Sequence, residues 1–584
     1  MNILGIHDGH NAAACLIRGG RITAAVQEER LRREKNFAGF PSKSVDHILQ
    51  DAGLAVTDLD AVAVSGHEMP DQNTRDSRLE MYRRVAKTPP AQHPSATDIG
   101  LGALKKTIKA GVRSVIGSTP PTPPLEARLR KIVEYGIPRD RIHVVEHHLA
   151  HASAAYHGLG EYGHDVLVLT NDGEGDGICA SVNIGRSGEL ERVGSVPRSE
   201  SIGNLYAVIT FLLGMVPLEH EYKLMGMAPY ADEKRAASLA ARFRELFTFD
   251  GAAPFGWQRA AKCPDLFYSY GFMRELLEFE RFDTVCGGLQ RFVEQILLEW
   301  VRNCVAATGI RRLALSGGVF MNVKLNKAIM ELPEVDDIFI FPSCGDETNA
   351  IGSAMHVAAE KNGAASVAPI RDFYLGPRFS SDDAKSAIES FKFSGAVEFR
   401  KVDDIESTVA ELLAAGNVVA RFKGREEFGA RALGNRSLLA DPSNPDVVKT
   451  INNMIKCRDF WMPFATSMTD TQAERCLKNP KHIASPYMIL TFDSTDMIGD
   501  YKAGAHPYDL TVRPQVVYRD WNPDYYRLIE CFQEKSGKRG GVLNTSFNLH
   551  GYPLVSTPTD ALDVLERSGL RHLALEDWLI SKTA

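Results

Sequence analysis

The first thirty residues alternate short apolar runs with polar punctuation. Ile3–Ile6, Ala12–Ile17 and Ile22–Val26 are apolar, the stretch His7-Asp8-Gly9-His10-Asn11 follows the first run, and Gly19-Gly20 follows the second. Runs of this length bounded by glycine and polar clusters predict strands joined by a loop and a tight turn. The same order returns at 165–193. Val166–Leu169 is apolar, Thr170–Gly177 is acidic and glycine-rich, Ile178–Ile184 is apolar, Arg186-Ser187-Gly188 turns, and Leu190–Val193 follows. Two hairpins that each open with a strand entering an Asp-Gly loop predict an internal duplication, with two unrelated hairpins as the plain alternative. Paired loops of this kind can face each other across a cleft and hold a polyphosphate on backbone N–H groups.

Between the hairpins, residues 43–160 read as mostly helical with a proline-rich break at Thr119–Pro124. Apolar spacing near 3–4 predicts further helices over Lys234–Phe247 and Leu289–Ala307. Leu313–Leu315 reads as a strand that enters a helix through Ser316-Gly317-Gly318, a turn able to seat a phosphate at a helix N-terminus. Ile338–Phe341 is another strand, followed by Pro342–Glu347 and a small-residue helix at Ala350–Ala359. The glycine- and proline-containing stretch 362–378 reads as a linker. Beyond it, helix Ile405–Ala415 and strand candidates Val418–Phe422, Tyr487–Phe492, Gln515–Tyr518 and Val542–Leu543 describe a second α/β domain. The division predicted is 1–365 and 366–584.

Composition changes this picture little. In 584 residues, 44% are hydrophobic and 24% charged, as in folded globular chains, and the length exceeds one ordinary core. Net charge is −7, which argues against a protein that coats nucleic acid. No apolar run reaches the roughly 20 residues of a membrane span, and the N-terminus lacks a secretory pattern. The nine cysteines are dispersed with no Cys-x-x-Cys, which predicts reduced thiols, a cytoplasmic setting and no zinc ribbon.

Three clusters carry candidate chemistry. On a helix, His147 and His151 stand one turn apart and can reach one metal, with Asp172 and Asp346 at strand ends as the natural hard ligands and a surface or core-facing histidine cluster as the plain alternative. Such a set suits iron(II), manganese or zinc. The segment Arg421–Ser437 holds five cations and three glycines after a strand, joined by Lys456-Cys457-Arg458 and Arg513; this suits an oxyanion pocket, with a solvated charged face as the alternative. Asn544-Thr545-Ser546-Phe547-Asn548 follows a strand, where α/β ligands bind.

These motifs, together with Tyr222–Tyr230, Gly345-Asp346-Glu347 and Gly424–Gly434, resemble in type and order the O-carbamoyltransferase family, which includes nodulation protein U and the cephem and tobramycin carbamoyltransferases. The resemblance spans nearly the whole chain. It implies an N-terminal duplicated actin-like (Kae-like) ATPase fold and a C-terminal YrdC-like α/β domain. It implies a reaction in which carbamoyl phosphate and ATP, with Mg, give carbamoyl adenylate, whose carbamoyl group passes to a hydroxyl of a small natural-product acceptor. The family's metal site, most often iron(II), falls on His147, His151, Asp172 and Asp346. The nucleotide falls on Asp172, Gly173, Gly317, Gly318 and Asn322. Carbamoyl phosphate and adenylate formation fall on Arg431, Lys456, Arg513, Asn544 and Ser546, with Met488 lining the pocket. His10 falls where a histidine meets the acceptor hydroxyl, expected as general base, and Lys35 is an acceptor-side lysine. One position departs: Met462 stands where an arginine is common, so either Arg458 or Lys423 substitutes or the phosphate contacts differ. The resemblance involves no nucleic acid and no membrane, and leaves a homodimer open. A tRNA threonylcarbamoyl-type enzyme and a non-catalytic actin-like nucleotide switch are the competing readings.

Overall fold

The structure is a computed structural model that describes residues 1–68, 75–87 and 124–583. The expected proline-rich break at Thr119–Pro124 falls, apart from Pro124, outside the described residues.

The first sheet contains β1 (Asn2–His7), β2 (Ala13–Arg18), β3 (Arg21–Gln27), β4 (Ala61–Ser65) and β5 (Ile142–Val145), in the order β3-β2-β1-β4-β5. The β1–β2–β3 meander is antiparallel, and β4 and β5 add in parallel on the other side of β1. The second sheet contains β6 (Val166–Gly175), β7 (Ile178–Arg186), β8 (Glu189–Pro197), β9 (Arg312–Ser316) and β10 (Asp337–Ile340), in the order β10-β9-β6-β7-β8. Its β6–β7–β8 meander is antiparallel, and β9 and β10 add in parallel beyond β6. The two sheets therefore share one strand order and one set of directions, which is the duplication that the repeated hairpin predicted.

Residues 43–160 are not all helical. Strands β4 and β5 lie among the helices Ser42–Ala52, Arg75–Lys87, Pro124–Glu134 and His147–Leu159. Both strands are short and largely buried, so they lack the alternation that marks a half-exposed strand. In β4, Ala61 and Ala63 face one hydrophobic core while Val62 and Val64 face another, and β1 divides Ile3 from Leu4 and Ile6 in the same way. The small-residue face admits the helix Asn349–Asn362, which packs on β1 and on the His147–Leu159 helix. A side chain at Gly352 would stand 2.0 Å from the Ala150 carbonyl oxygen, so only glycine permits this approach.

The third sheet uses β11 (Val397–Lys401), β12 (Val419–Phe422), β13 (Arg436–Ala440), β14 (Ala465–Thr469), β15 (Pro514–Val517), β16 (Val542–Ser546), β17 (His572–Leu575) and β18 (Trp578–Lys582). Its order is β11-β18-β17-β12-β13-β16-β14-β15. Alternate residues serve opposite faces: Ala420 and Leu438 join helices Ser381–Ser390 and Pro558–Arg567, whereas Val419 and Leu439 join helices Ile405–Ala414 and Pro523–Ser536. The chain is thus an α/β protein. The expected strand Tyr487–Phe492 is not one; Met488 takes a left-handed φ of 57°, and only Phe492 forms a bridge, to Val512.

One core runs on from the first two sheets to Phe428, Leu433 and Met488. Polar contacts cross the same boundary. Arg30, 3% exposed, pairs with Glu426 at 2.5 Å and donates to the carbonyls of Glu427 and Gly429. Lys481 donates to the carbonyls of Met330, Leu332 and Val335. Asn326 donates to the carbonyl of Ile489 at 2.8 Å.

Candidate active site

The His147–Leu159 helix begins with Glu146 as N-cap, whose carboxylate accepts from the Leu149 N–H. Asp176 accepts the His147 N–H at 2.8 Å, which fixes the first turn against the Asp-Gly hairpin. This start aims His147 and His151 at Asp172 on β6 and at Asp346, in the short turn after β10. His147 Nε2 lies 3.1 Å from Asp172 Oδ2 and 3.5 Å from Asp346 Oδ1, and His151 Nε2 lies 3.5 Å from each. The four candidate ligand atoms lie within 4.8 Å of one another. His151 Nδ1 meets Ser316 Oγ at 3.2 Å, the kind of outer contact that orients a metal-bound imidazole.

The electrostatics agree with a cation here. Burial pulls His147 and His151 down, but the Asp346 and Asp172 carboxylates outweigh it, raising both and bringing His151 to about 9. Burial pushes Asp172 up, yet the two imidazoles hold it well below the usual carboxylate range. Asp346 Oδ1 is buried without a hydrogen-bond partner. Two imidazoles and two carboxylates around a buried, unsatisfied oxygen fit a divalent metal such as iron(II), manganese or zinc.

The glycine turn closes on this centre. Gly317 has φ 106°, and a side chain there would meet the Asn171 carbonyl oxygen at 2.3 Å. Gly318 N–H donates to Asp172 Oδ1 at 3.1 Å. Gly173 lies on the same hairpin, and its carbonyl accepts from Ser201. Asn322 instead caps the helix Val323–Met330 and exchanges both amide hydrogen bonds with Gln290. Its side chain is satisfied by the protein, so a capping role accounts for it.

The first Asp-Gly loop brings His7 and His10 within electrostatic reach of Asp346. Arg78 donates to His10 Nδ1 at 3.0 Å and pairs with Glu219 at 2.8 Å. Arginine only donates, so His10 Nδ1 must accept and the ring proton sits on Nε2. Burial, with Arg78 adding, pulls His10 down to about 4. In this arrangement His10 has no free ring lone pair, which corrects the general-base expectation: it presents an N–H. Sequence reasoning missed Arg78, which stands far from any motif, and Glu219, which lies just before the Tyr222–Tyr230 motif.

The second cluster is more selective than the sequence suggested. Of the five cations in 421–436, four are structural. Arg421 donates to the Gly434 carbonyl and Asn435; Lys423 pairs with Asp577 and Glu406. Arg425 donates to the carbonyls of Leu375, Gly376 and Thr23. Arg436, fully buried, lies 3.5 Å over the Phe422 ring and donates to the carbonyls of Lys423 and Gly424. Only Arg431 is left over. It joins Arg458, Arg513, Lys456 and Lys35, and among the described residues none of the five pairs with a carboxylate. Burial and mutual repulsion lower Lys456 and Arg513 well below their usual values and bring Arg431 to about 10.

Lys456 ends a π-turn after helix Asp446–Ile451, and Cys457 then takes φ 45°. Its ammonium touches the Ser546 carbonyl, Ser546 Oγ at 3.1 Å and Asn548 Oδ1 at 2.6 Å. Asn544 lies deeper, donating to Ser467 and Gln515, with Oδ1 buried and unpartnered. Met488 is 3% exposed in the main core. Lys423 is committed elsewhere and Met462 packs near Gly226, which leaves Arg458, of the two expected substitutes, without a carboxylate partner among the described residues. The arrangement is an anion-seeking pocket beside a His₂Asp₂ centre, with Lys456 buried and Arg431, Arg458 and Arg513 half-buried.

Comparison with known proteins gives the family. The profile described as Carbamoyltransferase N-terminus matches residues 2–355, and that described as Carbamoyltransferase C-terminus matches 410–582. The chain belongs to the carbamoyltransferase family and is an enzyme of that class. It is 31% identical to nodulation protein NolNO of Sinorhizobium fredii over 98% of this chain and 79% of that protein. It is 30% identical to an uncharacterized protein of Methanocaldococcus jannaschii over 99% of both. The 3'-hydroxymethylcephem-O-carbamoyltransferase of Amycolatopsis lactamdurans is 28% identical over 45% of this chain and 48% of that enzyme. No helix among the described residues is long and apolar enough to cross a membrane.

Proposed function

We propose that this enzyme is an ATP-dependent O-carbamoyltransferase. Residues 366–584, as a YrdC-like unit, form carbamoyl adenylate from carbamoyl phosphate and Mg-ATP. Residues 1–365, as an actin-like duplicated unit, transfer the carbamoyl group to a hydroxyl of a small natural-product acceptor in the cytoplasm. The observation that carries this reading is the set Arg431, Lys456, Arg458 and Arg513, with Lys35 at its edge, converging without a carboxylate partner. Such a set calls for an anionic ligand of several charges, which a solvated charged face would not need.

In the anion pocket, Arg431 and Arg513 bind the phosphorylated substrates bidentately, and Lys456 and Arg458 offset the charge that builds as they meet. One water hydrolyses carbamoyl phosphate to carbamate and phosphate, and the carbamate oxygen attacks the α-phosphorus of ATP, expelling pyrophosphate. Ser546 and Asn548 hold the Lys456 ammonium in place. In the cleft, Gly317 and Gly318 would carry the nucleotide beside the metal-site hairpin, where glycine lets the turn close on Asn171 and Asp172. His147, His151, Asp172 and Asp346 would hold a divalent metal, iron(II) in this reading, which supplies Lewis-acid polarisation when bound. His10 directs its Nε2–H toward an oxygen of the bound substrates, and Lys35 stands at the pocket's exposed edge.

The test is ATP–pyrophosphate exchange. Exchange that depends on carbamoyl phosphate is expected. Exchange independent of it, or none, would favour a nucleotide switch or a tRNA-type enzyme instead.

A further inference from the structure

Asn349 stands in the wrong orientation for the neighbour it has. It is fully buried, at the start of the helix Asn349–Asn362 and one turn beyond Asp346. Its amide nitrogen faces His151 Nε2 at 3.1 Å, while its Oδ1 is buried with no hydrogen-bond partner. An NH₂ group can sit there only while Nε2 offers it a lone pair. A metal takes that lone pair. The NH₂ would then point at a cation with nothing to accept from it, and Oδ1 would remain unsatisfied.

Rotating the amide by half a turn removes both conflicts. The two ends of an asparagine amide are nearly the same size and are assigned by their partners. After rotation Oδ1 would lie about where Nδ2 lies now, near 3.1 Å from His151 Nε2. Asp172 Oδ2 and Asp346 Oδ1 stand 3.5 Å from that same nitrogen. Separations of about 3 Å are those of neighbouring ligands on one metal at bond lengths near 2.1 Å. Asp346 and Asn349, three residues apart, project from one face of the same turn.

We propose that Asn349 is a fifth metal-site residue, with its amide rotated so that Oδ1 binds the metal directly or through one bound water. The site then presents two nitrogens and three oxygens, a harder and higher-coordinate set than four ligands alone. This inference rests on the metal reading above, and the two can fail separately.

The experiment loads metal-free full-length protein with Co(II) and records its visible spectrum and its affinity by titration. Wild type is expected to show the weak bands of five or six ligands. Asn349→Ala is expected to bind 10- to 100-fold more weakly and to gain the intense bands of tetrahedral Co(II). Asn349→Asp, which keeps an oxygen in place, is expected to restore affinity and the weak-band spectrum, so a loss in the alanine variant cannot be put down to folding alone. Asn349→Ala with wild-type affinity and spectrum would overturn the assignment of Asn349 while leaving the metal reading standing. Failure of the wild type itself to bind Co(II) would overturn both.

Discussion

The Ala430 N–H donates to Ser343 Oγ at 2.9 Å, and the Ser343 hydroxyl in turn donates to Glu347. Ser343 and Glu347 flank the metal-site residue Asp346, and Ala430 precedes Arg431, so one hydroxyl joins the loops of both half-sites. Ser343 and Cys344 both take left-handed backbone, φ 76° and 54°, a cost that only a well-anchored loop sustains. Ser343→Ala leaves a buried carboxylate and a buried N–H short of a partner, which costs about 1–3 kcal/mol. We expect a lower melting temperature together with a fall in both pyrophosphate exchange and carbamoyl transfer. A loss confined to one half-reaction would show that the loops act independently.

Lys456→Ala and Ser546→Glu should divide the reaction. Each removes or neutralises charge in the anion pocket without touching the metal centre. Carbamoyl phosphate-dependent exchange is expected to fall by about 10²-fold or more, while transfer from supplied carbamoyl adenylate persists. Loss of both activities in a folded variant would contradict the division of labour.

In the proposed pocket, Arg458 is the substitute expected for the arginine missing at Met462. Arg458→Met should raise the KM for carbamoyl phosphate by about 10-fold and flatten its dependence on salt, since an anion pocket with one cation fewer is screened less. The repulsion within the cluster also predicts a thermal shift: pyrophosphate should raise the wild-type melting temperature, and by less in the variant. Equal shifts in the two proteins would remove Arg458 from the pocket.

With Arg78 on Nδ1, His10 presents an N–H at Nε2. Glutamine at this position can accept from Arg78 and still donate, whereas glutamate can only accept. His10→Gln is therefore expected to retain carbamoyl transfer that His10→Glu loses, with adenylate formation intact in both. The opposite order would restore the general-base role.

The low pKa of His10, about 4, makes a linkage prediction. A histidine that stays neutral when folded but takes a proton near pH 6.5 when unfolded binds more protons in the unfolded state. Its contribution is fully present above about pH 6.5 and is lost as pH falls toward 4. Between pH 7 and 5 the wild type should lose about 2 kcal/mol of stability relative to His10→Gln. Denaturant titrations at the two pH values measure the difference; parallel curves would mean that the imidazole is not held neutral.

Much of this was legible in the sequence. The two hairpins, the His147/His151 spacing and the Ser-Gly-Gly turn are local signals, and the structure places them where their periods and turns say. Strands β4 and β5 were not legible because burial on both faces erases alternation. The cation-rich segment misled for a different reason: charge count does not reveal that Arg421 and Arg436 spend their donors on carbonyls inside the fold. Arg78 and Asn349 act only through residues distant in sequence or through a turn, and nothing in their neighbours marks them.

Arg30 and Lys481 each cross from one half of the chain to cap carbonyls of the other. Cutting the chain in the extended stretch after residue 363 would leave a buried guanidinium and a lysine ammonium facing exposed apolar surface, with their acceptors on the other fragment. Neither fragment is then expected to be soluble alone, and exchanging one half for a relative's would succeed only if these carbonyl positions were carried over with it.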